Sequence, residues 1–489
     1  MLIGILSLLL FVLTLYYLQI WWKDKQLPPG PIGLPLVGYL PFLGRNPALT
    51  YWKLSQKYGP VFSIRIGSNT MVILNSKEAI IQAFSKQARL TADRPYNPVL
   101  LEMSRDKSIS MTSGQRWKTG RTLAMKFFKN FNKQMIEQII TEESEYLCNA
   151  LRETGSKPMK DHTLFAKVVI NVTCSMLIGT RFSYDDQGLG RLLSYTSQLS
   201  DEYDGDILGI LLIAPFVRHL PFFKQSYKKL LQGVVIIEAE MDKIIKEHRQ
   251  SYDKNYSRDY VDFVLKELKS SSTLDDKDLI EDQDNYIQTA FDLIVAATDT
   301  TSSTLRWCLL ALIIYPECQK KISYEIYDVM GSSGKIEMKH QDKMSYTRAF
   351  IQEILRYQSP VPLAIAHNTT GEVNIVGFKI PRNTMIVPNL WGSQRDPAIF
   401  QNPDEFQPER FIDSDGQFVN NENFVSFCIG NRHCVGEQIA RMQLFIFITN
   451  IVQKFKICAS KNETLPSFDE GVFSIGYSPH DFAVEFHQK

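Results

Sequence analysis

The chain has 489 residues, 44% of them hydrophobic and 22% charged, with a formal net charge of +1. That balance belongs to a folded globular protein and excludes a disordered, collagen-like or low-complexity chain. It also removes any bulk attraction for nucleic acid, so an electrostatic partner must meet a local patch.

In chain order the first element is residues 2–22, which carry no charged side chain. Twenty-one residues at about 1.5 Å each span roughly 31 Å, the thickness of a bilayer core. Tyr16, Tyr17, Trp21 and Trp22 form an aromatic belt at the far end, and Lys23 and Lys25 act as a stop. There is no basic start and no small-residue cleavage site, so residues 1–22 are expected to be an uncleaved single-pass anchor with the lysine side cytosolic. Residues 23–35 follow as a basic, proline-rich linker, Leu27-Pro28-Pro29-Gly30-Pro31-Ile32-Gly33-Leu34-Pro35, which cannot be helical and reads as a stiff spacer. One catalytic body is expected over 36–489.

Within that body, residues 60–75 alternate as a hairpin with its turn at Gly67-Ser68-Asn69. Three-and-four apolar spacing predicts helices over 136–151, 234–249, 286–315, 318–330 and 346–357. Ile207 to Phe223 is strongly apolar but broken by Pro215 and Pro221, so it cannot span a membrane; it reads either as core or as a stretch that dips into the membrane surface beside the anchor. Short strands return over 373–388 and near the C-terminus. The sum is mainly α with small β-sheets.

Seven cysteines, at 148, 174, 308, 318, 428, 434 and 458, are odd in number and show no C-x-x-C spacing. They exclude a disulfide framework and imply a reducing compartment. Most read as small buried apolar residues. Cys434 differs, because Phe427-Cys428-Ile429-Gly430-Asn431-Arg432-His433-Cys434-Val435-Gly436 delivers it to the start of a helix with an apolar face at Ile439, Met442, Phe445 and Ile448. Free N–H groups and the positive end of the helix dipole favour a thiolate, the form that binds metal. Gly430 and Gly436 are expected to permit a tight backbone and the close approach of a flat ligand.

The pattern Phe427-x-x-Gly430-x-Arg432-x-Cys434-x-Gly436 resembles the haem-binding signature of the cytochrome P450 family. The resemblance implies that Cys434 is the axial ligand of haem iron, that Arg432 contacts a haem propionate and that Phe427 packs near the sulfur. Ala296-Ala297-Thr298-Asp299-Thr300-Thr301, on the long helix, resembles the family's oxygen-activation motif, with Ala297 where glycine is usual. Asp299 and Thr300 would deliver protons. Glu353 and Arg356, at i and i+3 on one face, match a buried structural pair that Arg410 would complete. Trp117 and Arg121, at i and i+4, and His367 would reach the propionates, and with Phe427, Arg432, Cys434 and Gly436 they make up the expected cofactor site. The implied fold is that of a cytochrome P450 behind a single N-terminal transmembrane helix.

The resemblance also implies a reaction and its partners. The chain would be a monooxygenase using haem b to hydroxylate a lipophilic steroid, fatty acid or xenobiotic. Its pocket is expected to include Phe291, Ile294, Val295, Val361, Ile365 and Ile475. No nucleotide-binding glycine loop follows a strand, so electrons from NADPH are expected through NADPH-cytochrome P450 reductase, sometimes helped by cytochrome b5. Lys118, Lys126, Lys129 and Lys133 form a basic run suited to an acidic partner. The expected location is the endoplasmic reticulum membrane, with the catalytic body in the cytosol. A haem-thiolate isomerase, or a non-enzymatic haem carrier, would have little use for Asp299-Thr300.

Overall fold

The computed structural model describes residues 11, 14, 15, 25–67, 69–160, 162–200, 202–253, 256–270, 283–331, 334–461, 463–474 and 476–489. Among the described residues no helix is long and apolar enough to cross a membrane. The anchor expected over 1–22 lies almost wholly outside them.

Helices come first and dominate. They are α1 (Pro47–Tyr58), α2 (Lys77–Ile81), α3 (Pro98–Ser104), α4 (Gly114–Asn130), α5 (Lys133–Glu153), α6 (Thr163–Leu177), α7 (Gln187–Ser200) and α8 (Glu202–Ile213). The later ones are α9 (Pro221–Gln250), α10 (Tyr260–Ser270), α11 (Gln283–Ile314), α12 (Pro316–Met330), α13 (Ser345–Tyr357), α14 (Leu390–Ser393) and α15 (Glu437–Lys454). Each helix expected from apolar spacing is present. Local chemistry sets many ends: Asn46, Asn97 and Asn132 cap α1, α3 and α5 with their side chains, and proline opens α1, α3, α9 and α12.

Strands β1 (Val61–Ile66) and β2 (Asn69–Leu74) pair antiparallel with Val61 opposite Leu74, as the alternation predicts. They join β3 (His367–Asn368) and β6 (Met385–Pro388) in a four-stranded sheet of order β1-β2-β6-β3. Three two-stranded ladders pair β4 (Val373–Ile375) with β5 (Phe378–Ile380), β7 (Phe455–Ala459) with β10 (Val484–Gln488), and β8 (Gly471–Phe473) with β9 (Tyr477–Pro479).

The proline-rich linker is non-helical but is not a free spacer. Ser63 donates to the Pro28 and Pro29 carbonyls at 2.6 and 3.1 Å, through Oγ and N. A Cβ on Gly30 would sit 1.7 Å from the Ser63 carbonyl oxygen, so the segment lies directly against β1. Ile207, Leu208 and Leu211 are buried under α9, while Phe216 and Phe222 are 70% and 63% exposed. The apolar stretch is therefore split between core and surface.

Helix α11 positions the site. Its 32 residues, about 48 Å at 1.5 Å each, run through the protein against α6, α12, α15 and β9. It divides two apolar cores, one built on α5, α6, α12, α13 and α15, the other on α4, α6, α7, α9 and α10. Ala297 and Phe427 pack on the first core, and Val295 and Val435 pack on the second. The middle of α11 and the cysteine loop thus meet at the same seam.

Candidate active site

The cysteine loop folds before α15, which Gly436 caps and Glu437 begins. Cys434 N donates to the Phe427 carbonyl at 3.0 Å, closing the loop on itself. Gly430 has φ +78°, and a Cβ there would lie 1.7 Å from the Phe84 carbonyl oxygen. Its role is thus a close approach to Phe84 rather than to a ligand, a correction to the expectation from sequence. Gly436 has open space where a Cβ would point, as a flat ligand above it would require. Arg441 lies 5.0 Å from the centre of the Phe427 ring and braces the loop from α15.

Burial pushes the Cys434 thiol up to about 11. Backbone N–H groups of Gly436 and Glu437 and the charge of Arg121 act the other way. Although set deep enough to be desolvated, the residue is solvent-accessible. A side chain both enclosed and accessible lines a hollow inside the protein. Cys428 is less accessible than Cys434; it has φ +57° and burial raises its thiol.

Beside the hollow lies an unusual accumulation of buried cations. Arg432 donates to the carbonyls of Ala92, Ile109 and Thr112 at 2.8, 3.1 and 2.6 Å. Its guanidinium lies 3.8 Å over the Trp117 ring. Arg121, one helical turn from Trp117 on α4, bonds the His433 carbonyl at 2.8 Å. Arg94, which the sequence reading missed, donates to the carbonyls of Ser110, Ile365 and Ala366, each at 2.9 Å. His367 is buried on Phe84, and its Nδ1 meets the Thr91 carbonyl at 2.7 Å.

These groups raise one another's energy. Burial lowers Arg432 to about 8, with Arg94 and Arg121 adding repulsion and Asp93 offsetting part of it. Burial and Arg121 lower Arg94 to about 10, although Cys428 opposes them. Burial, Arg94 and Arg432 push His367 well below its ordinary value. Trp117 Nε1 is buried without a hydrogen-bond partner. Buried charge of one sign with an orphaned donor is costly in isolation and calls for bound anions. A flat group carrying two carboxylates, with one face open to a thiol, satisfies these requirements, so the residues fit haem.

Across the seam, Asp292, Ala296 and Thr300 recur every four residues on α11, and Ala296 is exposed although its helix is central. This stripe borders open space. Phe291 and Ile294 point the other way, into the second core, where Ile294 is fully buried and Phe291 rests 5.7 Å from the Tyr195 ring. A helix turns 100° per residue, so apolar character alone could not say which face is lined. Val295, Val361 and Ile365 are half-buried; Ile475 lies outside the described residues. Thr300 Oγ1 donates to the Ala296 carbonyl at 2.8 Å, leaving its lone pairs free to accept. Ala297 is packed on the first core. Asp292, also missed, takes the N–H of Ile109 at 2.7 Å, and burial raises its carboxyl to about 7. It ties α11 to the loop that supplies carbonyls to Arg432.

Glu353 and Arg356 are fully buried and bidentate, Nε to Oε2 at 2.7 Å and Nη2 to Oε1 at 2.8 Å. Arg410 joins at 3.0 Å. The triad sits against the segment 401–407, whose carbonyls, with that of Gln394, take the remaining donors. It touches neither the hollow nor the cation cluster.

A family model described as cytochrome P450 matches residues 28–486. The chain is 32% identical over 493 residues to cytochrome P450 2U1 of Rattus norvegicus, covering 95% of this chain and 92% of that protein. It is 34% identical over 468 residues to cytochrome P450 2J3 of Rattus norvegicus, covering 94% and 91%. To cytochrome P450 2D6 of Homo sapiens it is 32% identical over 488 residues, covering 98% and 97%.

Proposed function

The chain belongs to the cytochrome P450 family and is a monooxygenase of it, and from that premise we propose that Cys434 holds haem b and that the enzyme hydroxylates a lipophilic small molecule. The observation that carries this reading is the cluster of Arg94, Arg121, Arg432 and His367 around Trp117, short of negative charge and bordering the hollow of Cys434. Two propionates would supply what the cluster lacks. Thiolate-ligated haem, when bound, supplies activation of dioxygen for insertion of one oxygen atom into a C–H bond.

The protein's share follows from its own residues. Arg94, Arg121, Arg432, Trp117 and His367 would hold the propionates of the bound group. Phe427 and the Gly436 and Glu437 N–H groups shield and stabilise the sulfur. Thr300 would accept a hydrogen bond on the open stripe of α11, and Asp299 would move protons toward it. Ala296, Val295, Val361 and Ile365 exclude water and select an apolar substrate.

Electrons come from NADPH through NADPH-cytochrome P450 reductase, with cytochrome b5 as an auxiliary donor. Lys118, Lys126, Lys129 and Lys133 are exposed on α4 and α5, and α4 turns Trp117 and Arg121 inward, which supports docking of an acidic partner on that face. Residues 1–22 anchor the chain in the endoplasmic reticulum membrane, 23–35 link, and 36–489 form the cytosolic catalytic body. Ile32, Leu36, Phe216 and Phe222, each more than 60% exposed, support contact of the body with lipid. Reconstitution in lipid vesicles with reductase, NADPH and a panel of fatty acids, steroids and aryl ethers tests the reading. Product formation that requires both reductase and NADPH supports it. Turnover of a peroxide substrate without either would replace it with an isomerase.

A further inference from the structure

Strands β8 and β9 pack on α11, and the two elements touch where they can least tolerate bulk. A Cβ on Gly471 would lie 2.8 Å from the Trp307 ring, and Trp307 Nε1 donates to the Tyr477 carbonyl at 3.1 Å. A Cβ on Gly476 would lie 2.8 Å from Asp299 Oδ2 and 3.2 Å from the Pro360 carbonyl oxygen. That carbonyl cannot retreat freely, because Tyr477 N donates to it at 2.9 Å. The carboxylate of Asp299 is thus wedged against the bare backbone of the hairpin turn.

A cation lies along the same seam. Arg306, two helical turns beyond Asp299, donates to the Pro479 carbonyl at 3.2 Å and to the exposed Asp481 at 2.8 Å. Burial lowers the Arg306 guanidinium, while Asp481 and then Asp299 oppose that shift, so its charge is felt at Asp299. The hairpin therefore limits where the Asp299 carboxylate can go, and Arg306 is held on the same hairpin by the Pro479 carbonyl and Asp481.

We propose that Gly476 is a positioning residue for proton delivery: by carrying no side chain, it leaves the space in which Asp299 adopts its working orientation. The proposal rests on the reading of Asp299 as the proton donor. A methyl at 476 would move the carboxylate before it moved backbone, since the carboxylate ends a rotatable side chain and the Pro360 carbonyl is backbone held by Tyr477 N. Displacement of a transferring group by about 1 Å can cost on the order of 100-fold.

The test uses full-length enzyme with reductase in lipid vesicles and 7-ethoxycoumarin as a lipophilic probe. Wild type, Gly476→Ala, Asp299→Asn and the double variant are compared for NADPH oxidation, the share of electrons recovered as hydrogen peroxide, and the solvent deuterium isotope effect. Gly476→Ala is expected to slow NADPH oxidation about tenfold and change the isotope effect, with haem content retained. The double variant should be no slower than Asp299→Asn, because both act on one group. A crystal structure of Gly476→Ala should show the Asp299 carboxylate displaced.

If Asp299→Asn leaves rate and isotope effect unchanged, the proton-delivery reading fails, and the proposal with it. If Asp299→Asn is impaired while Gly476→Ala matches wild type, or if the two losses multiply, only the positioning role is overturned. Should Gly476→Ala lose haem, Gly476→Ala/Asp299→Ala is the second probe. If the added methyl acts by pushing on the carboxylate, removing the carboxylate restores haem content, and a loss that persists overturns the proposal.

Discussion

Replacing Glu353 by glutamine keeps the shape of the buried triad and removes its only negative charge. In the native protein Glu353 accepts from Arg356 twice, from Arg410, and from Gln407 N at 2.9 Å. Arg356 has no exposed side-chain surface, and Arg410 is 9% exposed. Neither guanidinium can recover hydration, so two positive charges would face only carbonyls. Breaking a buried pair from one side costs about 3–5 kcal/mol. With an m value of about 3 kcal/mol/M, a loss of about 4 kcal/mol lowers the urea midpoint by about 1.3 M. Glu409→Gln is the control: its pair with Lys321 is about half exposed at both ends, and such pairs contribute about 1 kcal/mol or less. The assay is urea unfolding of haem-loaded protein, followed by far-ultraviolet circular dichroism and by the haem band. If Glu353→Gln falls within 1 kcal/mol of Glu409→Gln, the triad does not behave as a desolvated charge cluster and the reasoning is wrong.

Gly430→Ala should prevent formation of the cysteine loop, since it combines φ +78° with a Cβ 1.7 Å from the Phe84 carbonyl oxygen; haem content after purification measures this. Trp117→Phe removes the orphaned indole N–H and weakens the surface under Arg432. Haem release to apomyoglobin is expected to accelerate severalfold, with secondary structure unchanged. His248 gains a partner in buried Asp259 at 2.6 Å, which raises its folded value above 6.5. Its stabilising contribution is therefore full below pH 6.5 and is lost as pH rises through the raised value. The stability gap between wild type and His248→Gln, followed by urea unfolding from pH 6 upward, should narrow in that direction.

Much of this molecule is legible in its residues, for identifiable reasons. Helices α5, α9 and α12 each bury one stripe of a long periodic run, and α11 and α13, buried on several sides, still carry apolar residues at three-and-four spacing, so their existence could be predicted without knowing their partners. The β1–β2 hairpin follows from alternation and a glycine turn. What depends on approach from a distant segment was not legible. Arg94 stands alone in the sequence and becomes part of the cation cluster only because Ile365 and Ala366 are brought to it. Asp292 reads as a stray acid until the Ile109 N–H meets it. The stripe Asp292, Ala296, Thr300 replaces Phe291 and Ile294 as the open face because large apolar side chains on a central helix seek the packed side. Gly430 and Gly476 serve Phe84 and Asp299, contacts that span more than 100 residues and leave no local signal.

The most direct test of the central claim is the absorption spectrum of the reduced protein under carbon monoxide, recorded beside Cys434→Ser. A strongly red-shifted Soret band is expected in the wild type and should be lost in the variant, as thiolate ligation through Cys434 requires. A Soret band at the ordinary haem position from folded wild-type protein, or a red-shifted band that survives in Cys434→Ser, would contradict it.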